Sequence, residues 1–269
     1  MCSSDLLVLP LPTPLHRLLA RRAEGRWFAG ATAVIGTSDA YCASVLADHP
    51  TVPSGNVHRV YNGYDRDGMP GAPRSPATGG QFVITYTGVL DVHRHPGPFL
   101  EAARALVEEE KALSAALRIR FVGTRKPGVR DAALVAGLAG NVRLIDHVSH
   151  DECVSLQDES DVLLLIHPYP RVGDLVISGK AFDYIAAGVP VLMLSSPCEC
   201  ADIVYRSGMG IVVTPTDVAQ IRAALKRMWE CKRDGRPTGL AMDRDYVMQF
   251  RRATQMKQIA EILDSVVAR

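Results

Sequence analysis

The chain has 269 residues, enough for one large domain or two small ones at roughly 100–200 residues each, and its 47% hydrophobic content supports a sizeable core. A formal net charge of +1 excludes both the global basic field of a nucleic-acid binder and an acidic tail. Six scattered cysteines suit reduced thiols better than a disulfide framework, and no apolar run approaches the about 20 residues of a membrane span.

The first six residues, MCSSDL, resemble the translation of a common sequencing adaptor and are set aside from fold reasoning. The apolar stretch that follows is short and broken by Pro10, Pro12 and Pro14. From Pro14 to Ala29 the spacing predicts a helix, with Leu15, Leu18, Leu19, Ala23 and Trp27 on one side and Arg17, Arg21, Arg22 and Arg26 on the other. "ATAVIGTS" reads as a short buried strand, with Ser38 or Thr37 capping a helix from Ala40 to Ala47. "VHRVYNG" is a second strand ending in an Asn-Gly turn. Ala31 to Asn62 is thus one βαβ unit that lacks the rest of a sheet.

The Gly/Pro/Ser-rich stretch "GYDRDGMPGAPRSPATGG" is the best linker in the chain. Beyond it, short apolar strands alternate with helices. The strands are "QFVITYTG", "LRIRFVG", "NVRLI", "DVLLLIHP", "VPVLMLS" and "GIVVT". Helices are expected near Pro98–Leu113, Asp131–Leu138, His150–Gln157, Cys198–Arg206 and Asp217–Trp229, with another opened by Gly179 and Lys180 in "ISGKAFDYIAAGVPVL". Continuous apolar strands imply a sheet covered on both faces, so the fold class is α/β: a doubly wound parallel sheet. Ser149-x-x-Glu152 and Ser196-Pro197-x-Glu199 both read as capping boxes, which makes these residues structural. A final helix is expected from about Asp245 to Val267, its stripe formed by Phe250, Ala253, Met256, Ala260, Leu263 and Val267.

Ligands of such sheets bind beyond the carboxyl ends of the strands. Gly88 and Gly123 end two of them and let a ligand approach the backbone. Arg94 lies in the loop after Gly88, between His93 and His95, and His147 and His150 follow another strand. Gly179 and Lys180 open the helix in "ISGKAFDYIAAGVPVL", where Phe182, Ile185 and Ala186 form the face that packs on the sheet. A helix N-terminus is already an anion site, and a lysine there opposes the dipole unless an anion is shared between them. Lys180 therefore points to a phosphate, and Asp183, one turn on, to a ribose diol. The competing reading is a solvated i,i+3 pair.

Neither G-x-G-x-x-G, the P-loop nor the G-x-S-x-G elbow is present. The two "DRD" triplets, Asp65–Asp67 and Asp243–Asp245, fit turn and capping roles better than Mg²⁺, and Cys198 with Cys200 is too isolated for zinc.

Four ordered stretches carry a resemblance: "ATAVIGTSDAYCASVL" with "VHRVYNGYD", "ITYTGVLDVHRHPGPFLEAARAL", "VRLIDHVSHDECVSLQDESDVLLL" and "SGKAFDYIAAGVPVL". Together the chain resembles the family 4 type of glycosyltransferases with the GT-B fold. The resemblance implies two Rossmann-like lobes with a nucleotide-sugar in the cleft, and a retaining, metal-independent transfer of hexosyltransferase type to an acceptor hydroxyl. By position, Gly88 matches the glycine near the donor phosphates, and Arg94 and Lys180 match the diphosphate-binding cations. Asp183 matches the acid, usually glutamate, on the donor ribose. Gly123, His147 and Gly179 complete the expected substrate-binding set, and catalytic residues are expected on the acceptor lobe. The family's first acid, eight residues before Asp183, falls on Leu175, next to Asp174, and no lysine neighbours Arg94.

The expected organisation is an adaptor artefact over 1–6, a remnant of the acceptor-side lobe over 7–70 and a linker over 71–80. The donor lobe follows over 81–235, then a helix over 236–269 that returns to the first lobe. On this reading the chain is truncated at its start and lacks turnover alone. No cofactor beyond the nucleotide-sugar donor, no metal and no nucleic acid is expected. A glycan or other hydroxyl acceptor, lipid-linked acceptors at the inner membrane face included, and a cytoplasmic location complete it. A nucleotide-sugar epimerase and a non-catalytic nucleotide-binding domain are the alternatives. Donor base, sugar and acceptor are not legible.

Overall fold

The computed structural model describes residues 13–66, 68, 70–71, 80–90, 94–123, 137–167 and 175–268. The adaptor-like start, most of the 71–80 linker, all but the last two residues of the helix expected at Asp131–Leu138, and Asp67, His93 and Asp174 lie outside them.

The first unit is small. Helix α1 (Pro14–Gly30) starts at Thr13, whose side chain accepts from the His16 N–H. Strand β1 (Val34–Gly36) and β2 (Val57–Arg59) pair in parallel around α2 (Asp39–Asp48), the expected βαβ unit. Ser38 is the cap of α2, accepting from the Tyr41 N–H at 3.0 Å. Val34, Tyr41, Val45 and Val52 form its core. Helix α1 buries none of its residues, and Leu15, Leu18, Leu19 and Trp27 are exposed. The expected separation of its faces fails: Arg22 and Arg26, seven and eleven residues after Leu15, return to the same side at 100° per residue.

The second unit is a six-stranded, wholly parallel sheet. In chain order it contains β3 (Phe82–Thr87), β4 (Leu117–Val122), β5 (Val142–Ile145), β6 (Val162–Ile166), β7 (Val191–Leu194) and β8 (Gly210–Val213), with spatial order β5-β4-β3-β6-β7-β8. The helices between are α3 (Gly97–Glu109), α4 (Lys111–Ala116), α5 (His150–Asp158), α6 (Gly179–Ala187), α7 (Glu199–Arg206) and α8 (Val218–Arg233). The residues of β6 show why its strand is apolar throughout. Val162, Leu164 and Ile166 enter one core with Phe99 and Leu225, while Leu163 and Leu165 enter the other with Phe182 and Ile185. Successive side chains leave opposite faces, and both faces are covered.

Three further sequence expectations need correction. The segment expected as one helix to Leu113 is two, α3 and α4, divided at Glu110. The final helix is also broken, into α9 (Arg244–Met248) and α10 (Arg252–Val267). There Tyr64 donates to the Phe250 carbonyl and accepts from the Arg252 N–H, each at 2.9 Å. A strand-like bridge from the first unit thus takes the backbone groups a continuous helix would use. Phe250 is buried, while Met256, Leu263 and Val267 of the expected stripe are exposed.

The second capping box does not form. Cys198, in extended conformation, precedes α7, so the helix starts at Glu199 and Ser196 is too early to cap it. Ser149 does cap α5, accepting from the Glu152 N–H. Asp243 caps α9, the role expected for that triplet.

Candidate functional site

The strand order reverses between β3 and β6, and the crevice at their carboxyl ends is where a doubly wound sheet has room for a ligand. Three strands end there at one level. The Gly88 N–H donates to the Val122 carbonyl at 2.8 Å, and the Gly123 N–H to the Ile145 carbonyl at 2.9 Å. Gly88 has φ +109° and Gly123 φ +80°, conformations that need glycine. A Cβ on Gly88 would lie 2.9 Å from the Lys180 Nζ, and one on Gly123 3.6 Å from the Gly88 Cα. Bare backbone therefore faces the crevice.

Helix α6 brings its cation to the same place. Its cap residue Ser178 makes no side-chain hydrogen bond to the first turn. Lys180 donates from Nζ to the Tyr86 hydroxyl at 3.0 Å, with Nζ 4.4 Å from that ring's centre. One turn on, the buried Tyr184 oxygen accepts from the Thr87 N–H at 2.9 Å and lies 3.0 Å from its hydroxyl. Two tyrosines thus fasten α6 to the end of β3. The face holding Phe182, Ile185 and Ala186 is buried as expected, which leaves Lys180 and Asp183 turned to the crevice.

The crevice is a cavity of about 660 Å³. Gly88, Arg94, Gly123, His147, Lys180 and Asp183 all line it, as does His150; Gly179 opens α6 but is not part of the lining. Thr87, Cys153, Gln157 and Arg66 also line it, and sequence reasoning missed them. Arg66 had been absorbed into a turn triplet, with nothing local to mark it. Burial pushes the Asp183 carboxyl above its ordinary range; Arg66, then His150 and Arg252, pull it back. Burial also raises the Cys153 thiol, so it is not an activated nucleophile. Leu175, at the position of the family's first acid, has a structural use: its carbonyl accepts from the Ser38 hydroxyl at 2.7 Å. His95 accepts from the Gly97 N–H through Nδ1.

Residues 81–231, more than half of the chain, match the model of the family Glycosyl transferases group 1. The chain belongs to that family. Its structure resembles a glycosyltransferase of Rickettsia africae (TM-score 0.71, 12% identity, 91% of this chain and 67% of that one). It also resembles HepE of Anabaena, crystallised with UDP (TM-score 0.68, 15% identity, 95% and 70%). A third likeness is TarM of S. aureus, crystallised with UDP and alpha-GlcNAc-glycerol among its ligands (TM-score 0.66, 10% identity, 90% and 46%). At these identities the likeness is one of fold, the GT-B type. The chain spans less than half of TarM and about two thirds of the other two. No curated protein matches it in sequence.

Proposed function

We propose that this member of the glycosyl transferases group 1 family binds a nucleoside-diphosphate-sugar in the crevice and passes the sugar to an acceptor hydroxyl, with retention and without a metal ion. The observation that carries the reading is Lys180, held between Tyr86 and the Gly88 turn at an uncapped helix N-terminus. Glycine backbone, a fixed ammonium and a helix N-terminus without a side-chain cap together suit a diphosphate. The cavity volume is within the range of small-molecule sites.

In this reading the leaving diphosphate gains negative charge as the sugar departs. Lys180, Arg94 and the first N–H groups of α6 stabilise that charge where it develops. Asp183 accepts hydrogen bonds from the ribose diol. Structural neighbours crystallised with UDP and with UDP-glucose support a nucleotide-sugar donor. A glycan or other hydroxyl acceptor, lipid-linked ones at the inner membrane face included, and a cytoplasmic location belong to the same proposal. Among the described residues no helix is long and apolar enough to cross a membrane. Residues 81–235 form the donor lobe in this reading, and 7–70 belong to the acceptor side.

The test is a thermal-shift panel on the full chain with UDP, GDP and ADP. At 100 times its Kd a ligand adds about 2.7 kcal/mol, roughly 5–10 °C for a chain of this size. A shift with one of the three, lost in Lys180→Ala, is the expected result. A cooperative melt that none of them moves overturns the reading.

A further inference from the structure

Helix α1 lines no part of the crevice. Its half-buried side holds Ala20, Ala23, Glu24 and Phe28. The Phe28 ring lies 4.7 Å from the His49 ring, centre to centre, and Glu24 Oε2 lies 3.9 Å from His49 Nε2. The single acid of the helix is therefore turned to the protein. Arg17, Arg21, Arg22 and Arg26 are all exposed, in a chain whose formal net charge is only +1. Positive charge is thus concentrated on one element.

Large apolar side chains share this surface. Leu15 is 61% exposed and Trp27 65%, and Leu18 and Leu19 are exposed with them. At 100° per residue Arg22 and Arg26 fall within about 20° of Leu15. Leucines therefore occupy the first half of this face and guanidiniums the second. Beside it Trp27 walls an apolar cavity of about 350 Å³ with Ala20, Ala23, Phe28 and Val34, edged by Glu24.

That mixture selects the partner. The core of a protein interface is depleted of charge, because a buried guanidinium needs an acid facing it. A lipid surface takes both kinds of group at once. Leucine and tryptophan enter the boundary between headgroups and acyl chains, while arginine stems lie along apolar surface and their heads reach lipid phosphates. Because α1 presents only positive charge outward, the complementary surface is anionic. Among the described residues no helix is long and apolar enough to cross a membrane, so α1 lies on the surface.

We infer that α1 is a membrane-docking helix, which lays Leu15, Leu18, Leu19 and Trp27 into an anionic lipid surface and sets its four arginines against the lipid phosphates. The inference deepens the membrane-face part of the reading above, rests on that part, and stands without the donor site.

The test is co-sedimentation of the full chain with vesicles of phosphatidylcholine, alone or with about 30% phosphatidylglycerol. The native chain is expected to bind the mixed vesicles and not the neutral ones, and to be released as salt rises. Arg22→Gln with Arg26→Gln is expected to weaken binding about 25-fold, at about fivefold per charge. Arg104→Gln with Arg222→Gln removes the same charge from exposed positions on the second unit and keeps native binding. All four arginines are exposed, so the melt without vesicles stays near native. Depth is read by quenching with brominated lipid tails. The chain has two tryptophans and Trp229 is buried, so the quenched signal is that of Trp27 and is lost in Trp27→Phe.

No binding to the mixed vesicles, equal binding to the neutral ones, native binding by the Arg22→Gln, Arg26→Gln chain, or an unquenched Trp27 in the bound chain overturns the inference. A dimer that hides Trp27 while the vesicles stay unbound overturns it in favour of a second copy. A nucleotide shift that still depends on Lys180 leaves the donor site standing in each of these cases. A chain that binds the mixed vesicles but no nucleotide overturns the donor reading alone.

Discussion

Glu199, at the start of α7, accepts a hydrogen bond through Oε2 from the backbone N–H of Asp39 at 2.8 Å, across the gap between the two sheets. The same oxygen accepts from the Ala40 N–H at 3.2 Å, and Oε1 accepts from the Tyr61 hydroxyl at 2.9 Å. A carboxylate of one unit thereby caps a helix of the other, where the unpaired N–H groups and the helix dipole favour negative charge. Glu199→Ala is expected to cost about 1–2 kcal/mol. Thermal melts should then fall by roughly 2–8 °C at this chain length. An unchanged melt would show that water replaces the carboxylate at no loss.

Tyr184→Phe removes the oxygen that satisfies the buried Thr87 N–H. An orphaned buried donor costs about 1–3 kcal/mol. Denaturant titration should show that loss in the midpoint with an unchanged slope, since the same surface unfolds.

Gly88 and Gly179 separate strain from ligand approach. Gly88→Ala forces a side chain onto φ +109° and against the Lys180 Nζ. A stability loss of about 1–3 kcal/mol and a weakened nucleotide shift are expected. A Cβ on the helical Gly179 meets nothing within 4 Å. Gly179→Ala should leave stability within about 1 kcal/mol of native, or raise it. A nucleotide shift that falls in both variants would place the phosphates against both positions; a full shift in Gly179→Ala would move them away from the helix start.

Asp183 is expected to trade stability for binding. Its folded-state pKa lies above the ordinary value of 3.8, chiefly through burial. Between those two pKa values the folded chain binds more protons than the unfolded chain, so stability falls as pH rises through that window and is level above it. Asp183→Asn should therefore raise the melting temperature of the nucleotide-free chain at neutral pH. It should give no such gain below pH 3.8, where both forms are neutral. The variant should also lose nucleotide affinity. A melt lowered at neutral pH would contradict the sign.

Local signals were legible wherever one element carries its own information. Ser38 and Ser149 were readable as caps because a cap needs only residues within one turn. The two-faced burial of β6 follows from its unbroken apolar run, and the buried face of α6 from the spacing of Phe182, Ile185 and Ala186. That Lys180 would line the crevice was legible because a cation at a helix start is locally unfavourable. Glu199 shows the limit. Its spacing from Ser196 fits a capping box, yet the partner it satisfies is 160 residues earlier.

The sequence by itself determined the alternation of strands and helices, and with it a parallel sheet with glycines at the strand ends. Those features depend on side-chain period and backbone freedom, which are local. Only the tertiary structure decided the strand order that puts the crevice between β3 and β6, and the break of the last helix at Phe250. It alone brought Arg66 to Asp158 and into the cavity with Asp183. These rest on pairings between distant segments, where burial and unpaired backbone groups choose the partner, and no period in the chain encodes that choice.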